Sequence, residues 1–335
     1  MKKKNIGVVY YPGPKLSARG KFNRKALDPL VKRIGAEKVK IDAYWPFPDF
    51  EFRDIPILTY IDSWATTMQY RRKLYQAARQ YDVLFISSQD FLWIDPEVAN
   101  STIIPYVHDI FPATTLFSSK LELNRARKYL TNVVKCSEIV CASEETKRDV
   151  YHRTPFDGEA TVIYQGVEQP CVQVSNRSID LLYVGSVIER KDPTFLRESI
   201  ALAAKSGFNC VAVNFKEIDL PCKVLSGVSG RQLAEVYASS NYYLHPSKAE
   251  GFGRSPVEAQ THGTIPLGRD ISINHEILGE EGKDWHSVST PNDVVNIIER
   301  EVPRWQRRAA TENAERFSWN KTVEGLSAVL SGNSL

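Results

Sequence analysis

Short runs rich in Val, Ile, Tyr and Phe alternate with longer stretches of helical periodicity along the chain, and this alternation constrains the fold more than any other feature. A short apolar run bounded by turn residues reads as a strand buried on both faces. A helix between two such strands is what joins neighbours in a parallel sheet. In the first half the expected strands are Ile6–Tyr10, Ile55–Thr59, Val83–Ser87, Ile103–Val107, Ile139–Ala142 and Val162–Tyr164. In the second they are Leu181–Gly185, Cys210–Asn214, Lys223–Leu225, Tyr242–His245 and Thr264–Leu267. At 335 residues the chain exceeds one ordinary core and implies two α/β domains. The polar, weakly patterned segment 171–178 is the expected linker, between a first domain at 1–170 and a second at 179–315, with a terminal helix at 316–335. Ligands of such sheets sit beyond the carboxyl ends of the strands.

The stretch Leu244–Pro266, LHPSKAEGFGRSPVEAQTHGTIP, carries the most chemistry. It leaves the expected strand at His245, passes through a glycine-bearing loop and opens a helix at Ser255-Pro256. Glu250 and Glu258 flank the loop, with seven residues between them. Backbone N–H groups at a helix start, approached closely because glycine has no side chain, form an anion site. Carboxylates beside it can hold hydroxyl groups of whatever carries the anion. A phosphate with sugars on either side fits, so a nucleotide sugar is the candidate ligand.

EGFG followed by SPVEA and HGTIP resembles the signature of the family 4 retaining glycosyltransferases, a GT-B group. VHDIFP at 107–112, ASEETKRDV at 142–150, VIYQGVE at 162–168, LLYVGSVIERKDP at 181–193 and FSW at 317–319 agree with it in order along the chain. The resemblance covers roughly residues 100 to 330. Ser186 stands where many relatives have an arginine, and Arg190-Lys191 follows, which is similar to mannosyl- and rhamnosyltransferase-like members.

The resemblance implies a GT-B fold: two Rossmann-like, doubly wound domains facing across a cleft, with the last helix crossing back at a Phe317-Ser318-Trp319 corner. It implies transfer of a hexose, with retention, from a UDP- or GDP-linked donor to a glycan or lipid-linked acceptor; a polyprenyl-phosphate-linked one is expected if the basic clusters at 118–135 and Arg71-Arg72-Lys73 line one rim. Lys191, with Gly185, Ser186 and Arg190, would meet the donor diphosphate, as would backbone N–H groups of Phe252, Gly253, Arg254 and Ser255. Glu250 would hold the donor sugar. His108 would lie beside that sugar, whereas its position at a strand end equally suits a structural hydrogen-bonder. Two roles are open to Glu258. By resemblance it accepts from the ribose hydroxyls; by local sequence it is the third residue of a capping box whose N-cap is Ser255. Gly13, Lys15 and Arg19 are the acceptor-side candidates.

No Asp-x-Asp pair occurs, so no metal and no cofactor are expected, and Lys191, Arg190 and the helix start would neutralise the leaving diphosphate. The five cysteines are scattered and include no Cys-x-x-Cys pair, which argues against a disulfide framework or a zinc site. Residues 1–168 carry 25 Lys+Arg against 20 Asp+Glu, and the remainder 18 against 20. That mild asymmetry permits an anionic membrane surface as partner, through the basic face of a helix at 118–135 and the cluster Arg71-Arg72-Lys73. It gives weak support to a nucleic-acid partner, although a DNA-modifying glucosyltransferase and a non-catalytic GT-B scaffold are the competing readings. The apolar run Ile6–Tyr11 is too short for a secretion signal and no stretch spans a bilayer. The expected location is the cytoplasm, with peripheral association at the inner membrane face allowed.

Overall fold

The computed structural model describes residues 4–10, 21–40, 68–88, 92–110, 127, 129–170, 172, 174, 176–214 and 219–332. The chain forms two compact units, Met1–Tyr164 with Trp319–Leu335, and Gln165–Ser318. The expected strand Ile55–Thr59, the start of the helix at 118–135, and Gly13, Lys15 and Arg19 lie outside the described residues.

In the first unit, β1 (Ile6–Tyr10), β2 (Glu37–Lys40), β3 (Val83–Ile86), β4 (Thr102–Val107), β5 (Glu138–Cys141) and β6 (Glu159–Val162) form one parallel sheet, ordered β2-β1-β3-β4-β5-β6. Strand β2 escaped sequence reading because three of its four residues, EKVK, are charged. As an edge strand it needs few apolar residues, and charge there discourages pairing with other chains. Strand β6 starts earlier than the apolar run at 162–164 suggested. Its register on β5, from Glu138↔Glu159 to Cys141↔Val162, recruits the polar Glu159. Helix α1 (Asp28–Ile34) ends at Gly35 in the left-handed region, and α2 (Glu144–Arg153) is capped by Ser143, whose side chain accepts from the Thr146 amide.

The second unit holds β7 (Ile179–Val184), β8 (Cys210–Asn214), β9 (Lys223–Ser226), β10 (Ser240–His245), β11 (Ile265–Gly268) and β12 (His286–Ser287). Their order is β12-β11-β10-β7-β8-β9, all parallel. Successive residues of β7 serve opposite faces: Leu181 and Tyr183 join one buried cluster, Leu182 the other. The helices are α3 (Pro193–Lys205), α4 (Gly230–Ala238), α5 (Arg254–Thr261), α6 (Ser272–Ile277), α7 (Pro291–Ile298) and α8 (Arg304–Ala314). Strand order runs outward to one side through β8 and β9, then restarts on the other side at β10. The sheet therefore reverses between β7 and β10, and the carboxyl ends of those two strands are where a doubly wound sheet binds its ligand.

After α8 the chain passes Phe317, whose carbonyl accepts from the Val167 amide at 3.1 Å, and whose ring meets Phe252 edge-on with centroids 5.3 Å apart. Helix α9 (Trp319–Ser331) then belongs to the first unit, packed on α1. Thr322 Oγ1 donates to the Tyr164 carbonyl at 2.9 Å. A side chain at Gly325 would stand 3.2 Å from Ile163, so glycine lets this helix approach closely. Among the described residues no helix is long and apolar enough to cross a membrane.

Candidate functional site

The carboxyl ends of β7 and β10 open into two loops that are fastened to each other. The Lys248 amide donates to the Arg190 carbonyl at 2.9 Å. The Lys248 ammonium lies 3.3 Å from the Asp192 carboxylate, and Arg190 donates to the Ala249 carbonyl at 3.2 Å. Arg190 also pairs with Glu250 at 2.5 Å, and Ser247 Oγ donates to the other Glu250 oxygen at 2.9 Å. Asp192 holds a left-handed backbone, φ 43°, while its side chain caps α3 by accepting from the Phe195 amide. Such a conformation in a non-glycine residue is strained, and the surrounding bonds hold it.

Glu250 is 8% exposed. Burial alone would raise its pKa, but the charges of Arg190 and Lys191 outweigh burial and, with His245, bring it down to about 2. The carboxylate is therefore ionised throughout the physiological range. Lys191 behaves oppositely: burial lowers its pKa, Glu250 opposes that, and Arg190 reinforces it. Its ammonium makes no direct hydrogen bond or ion pair among the described residues. It lies 2.7 Å from where a β-carbon on Gly185 would stand, so the glycine at the end of β7 leaves the lysine its space. Ser186 is exposed, and its carbonyl accepts from the Tyr183 hydroxyl at 2.8 Å.

Opposite this lysine loop begins α5. The sequence suggested a start at Ser255, with Glu258 closing a capping box. The helix instead starts at Arg254 behind Gly253, which takes the N-cap with φ 79° and supplies no side-chain cap. The left-handed turn at Gly253 brings the chain into the helix two residues earlier than a serine cap would. Ser255 thus becomes the second helical residue and Glu258 the fifth, so Glu258 is not a capping-box residue. It is 7% exposed, and its carbonyl accepts from Thr261 Oγ1 and His262 Nδ1. The far end of α5 is cationic. Arg177 donates to the carbonyls of Ser240 and His262, and Arg307 donates to that of Gly263 at 2.9 Å. Cations at a helix C-terminus match the macrodipole, whose positive end points at the loop of Glu250. Burial, then the neighbouring Arg307 charge, holds the Arg177 pKa down to about 10.

The second unit thus gathers Gly185, Ser186, Arg190, Lys191, Glu250, Phe252 and Gly253 on the loops after two neighbouring strands, with Arg254, Ser255 and Glu258 in the helix that follows. His108 belongs to the first unit, just beyond β4. Its Nε2–H donates to the Ser87 carbonyl at 3.0 Å, which fixes the tautomer, and its ring lies 4.8 Å from that of Tyr106. Of the basic surfaces, Lys135 is committed to Asp95 at 2.8 Å and Glu97 at 2.9 Å, which withdraws it from a membrane-facing stripe. Arg71, Arg72 and Lys73 are exposed on a helical stretch at 68–78. Sequence reasoning missed Ser247, Lys248 and Asp192, whose roles come from pairing between loops, and gave no role to His245 at the end of β10.

Residues 174–316 match the profile of the glycosyl transferases group 1 family. The match takes in 143 of the chain's 335 residues, less than half of it. A curated relative, the D-inositol 3-phosphate glycosyltransferase of Gordonia bronchialis, is 32% identical over 101 residues, which span 28% of this chain and 22% of that protein. The O-antigen chain mannosyltransferase RfbU of Salmonella typhimurium is 27% identical over 217 residues, 57% of this chain and 60% of that one. Among solved structures, Anabaena HepE in complex with UDP and glucose superposes with a TM-score of 0.69 at 16% identity, over 98% of this chain and 99% of its own. The two parallel six-stranded sheets are those of the GT-B fold.

Proposed function

We propose that this chain is a retaining, metal-independent glycosyltransferase, moving a hexose from a UDP- or GDP-linked donor to a glycan or lipid-linked acceptor. The observation that carries the reading is the Lys191 ammonium, which makes no direct hydrogen bond or ion pair among the described residues, at the same sheet end as the glycine-headed N-terminus of α5. With Arg190 neutralised by Glu250, Lys191 leaves the site a net positive charge, and the helix start adds about half a charge. A diphosphate suits that balance, and charge placed in advance is what stabilises a leaving diphosphate without a metal ion. The family of residues 174–316, the relatives named for mannosyl transfer and the UDP complex of a like-folded protein support the same reading.

In this account Lys191 and the first amides of α5 bind the diphosphate, Glu258 accepts from the ribose hydroxyls, and Glu250 accepts from the donor sugar. A carboxylate with a pKa near 2, already ion-paired, is a poor nucleophile and a good hydroxyl acceptor, so Glu250 orients the sugar rather than attacking it. The acceptor hydroxyl attacks from the face the diphosphate leaves. The bond between the anomeric carbon and the phosphate oxygen breaks, the bond to the acceptor oxygen forms, and the acceptor proton passes to the departing diphosphate. Catalysis is then positioning plus charge stabilisation. His108, oriented by the Ser87 carbonyl, is a hydrogen-bonding group of the first unit.

Proton NMR of slow donor hydrolysis in EDTA, with UDP-glucose and GDP-mannose as probes, tests the reading. It predicts release of the nucleoside diphosphate and a sugar born with the donor's own anomeric configuration. Inversion, or loss of turnover on chelation, contradicts it.

A further inference from the structure

Among the described residues, His245 Nε2 is buried and has no hydrogen-bond partner, although the residue is only 2% exposed. Buried polar groups of folded proteins are nearly always paired, so such an atom needs a partner from elsewhere. Its location supplies one. His245 is the last residue of β10, two residues beyond Tyr243 and on the same face of the strand, with the two rings roughly parallel at 6.4 Å. Tyr243 is fixed by donating its hydroxyl to the Val184 carbonyl at 3.1 Å, so the imidazole is backed on that side. Nε2 lies 3.7 Å from where a β-carbon on Gly253 would stand, at the left-handed residue that heads α5. This buried nitrogen is therefore a direct neighbour of the helix start.

The charged groups around the ring are Glu250, Lys191 and Arg190. Burial pushes the imidazole pKa down to about 4, with Glu250 opposing and the two cations assisting. The ring is thus neutral at physiological pH, and a neutral imidazole has one N–H to give.

We propose that His245 is a ligand-contacting residue whose Nε2–H donates a hydrogen bond to an oxygen of the diphosphate held at the start of α5. The inference rests on the donor-site reading above and adds a residue to it. The site then offers an ammonium from the β7 loop, amides from α5 and an uncharged donor from the end of β10.

Isothermal titration of UDP and GDP against the wild-type chain, His245→Phe, His245→Leu and His245→Gln tests it. Phenylalanine keeps the ring and its stacking while removing the N–H; glutamine replaces the donor at nearly the same reach. The expected result is affinity weakened roughly tenfold or more in the apolar variants, with restoration to within a few-fold by glutamine and no loss of unliganded stability. In parallel, the 15N signal of His245 Nε2, assigned by its absence in His245→Gln, should be that of a protonated neutral nitrogen and should move on titration with the nucleotide. Unchanged affinity in a folded apolar variant, or an unmoved Nε2 signal at saturation, overturns this inference and leaves the donor site standing. Failure of the wild-type chain to bind either nucleotide overturns both.

Discussion

Replacing Glu250 with glutamine removes one buried charge while keeping its volume and an acceptor for Ser247 Oγ. In the wild-type chain the pKa lies near 2 against 4.5 for the unperturbed carboxyl. A carboxylate depressed in this way contributes stability that is fully present above about pH 4.5 and is lost as pH falls through 2. A difference of about 2.5 pKa units corresponds to about 3 kcal/mol at pH 7, which is also what breaking one side of a buried ion pair costs, about 3–5 kcal/mol. For a unit of about 150 residues that is a fall in Tm of roughly 6–12 °C. Urea unfolding followed by tryptophan fluorescence checks the magnitude, because Trp285 of the same unit is fully buried. The difference between wild type and Glu250→Gln should be constant above about pH 5.5 and shrink to less than half near pH 3. A variant as stable as wild type at pH 7, or a difference that does not shrink with acid, refutes the reasoning about the Arg190–Glu250 pair.

Three further outcomes follow from the geometry. Lys191→Met removes a partly buried cation that makes no direct bond, so Tm should hold or rise while affinity for UDP or GDP falls about 10- to 100-fold in calorimetry. Gly253→Ala places a β-carbon 3.2 Å from Ile277 Cδ1 in a left-handed conformation and should lower stability by about 1–2 kcal/mol, read by urea unfolding, together with nucleotide affinity. Arg177→Met leaves the Ser240 and His262 carbonyls short of a donor and should lower stability by about 1–3 kcal/mol, with nucleotide affinity changed less than twofold.

The strands of both sheets were legible because two-sided burial writes continuous apolar runs, as in IGVVY at β1 and CVAVN at β8. Edge strands β2 and β12 were not, because an edge is satisfied by polar residues and backbone pairing. The glycine loop could be read because the left-handed turn at Gly253 favours glycine, whereas the two glutamates stood out through the resemblance rather than through their spacing. The helix start could not be placed: Ser255-Pro256 is a strong local start signal, and a left-handed glycine two residues upstream overrode it. Arg190 illustrates a subtler limit. The sequence offered it as a neighbour of Lys191 able to compensate for Ser186 at the diphosphate, whereas Arg190 is ion-paired with Glu250 and Lys191 is not. Local sequence carries no record of a pairing set by Glu250, sixty residues on, and Lys248 and Asp192 were missed for the same reason. His245 was passed over because the histidines of the chain show no ligand spacing. Its meaning comes from Gly253, brought next to it by the fold.

Thermal unfolding of the wild-type chain and Glu258→Gln with UDP, GDP, ADP, dTDP and their common sugars tests the central claim, that the sheet end between β7 and β10 binds a nucleotide sugar. A ligand at a hundred times its Kd stabilises by about 2.7 kcal/mol. The account predicts that one nucleotide class raises the wild-type midpoint, and that Glu258→Gln loses this shift. No shift with any donor, or an equal shift in the variant, contradicts it.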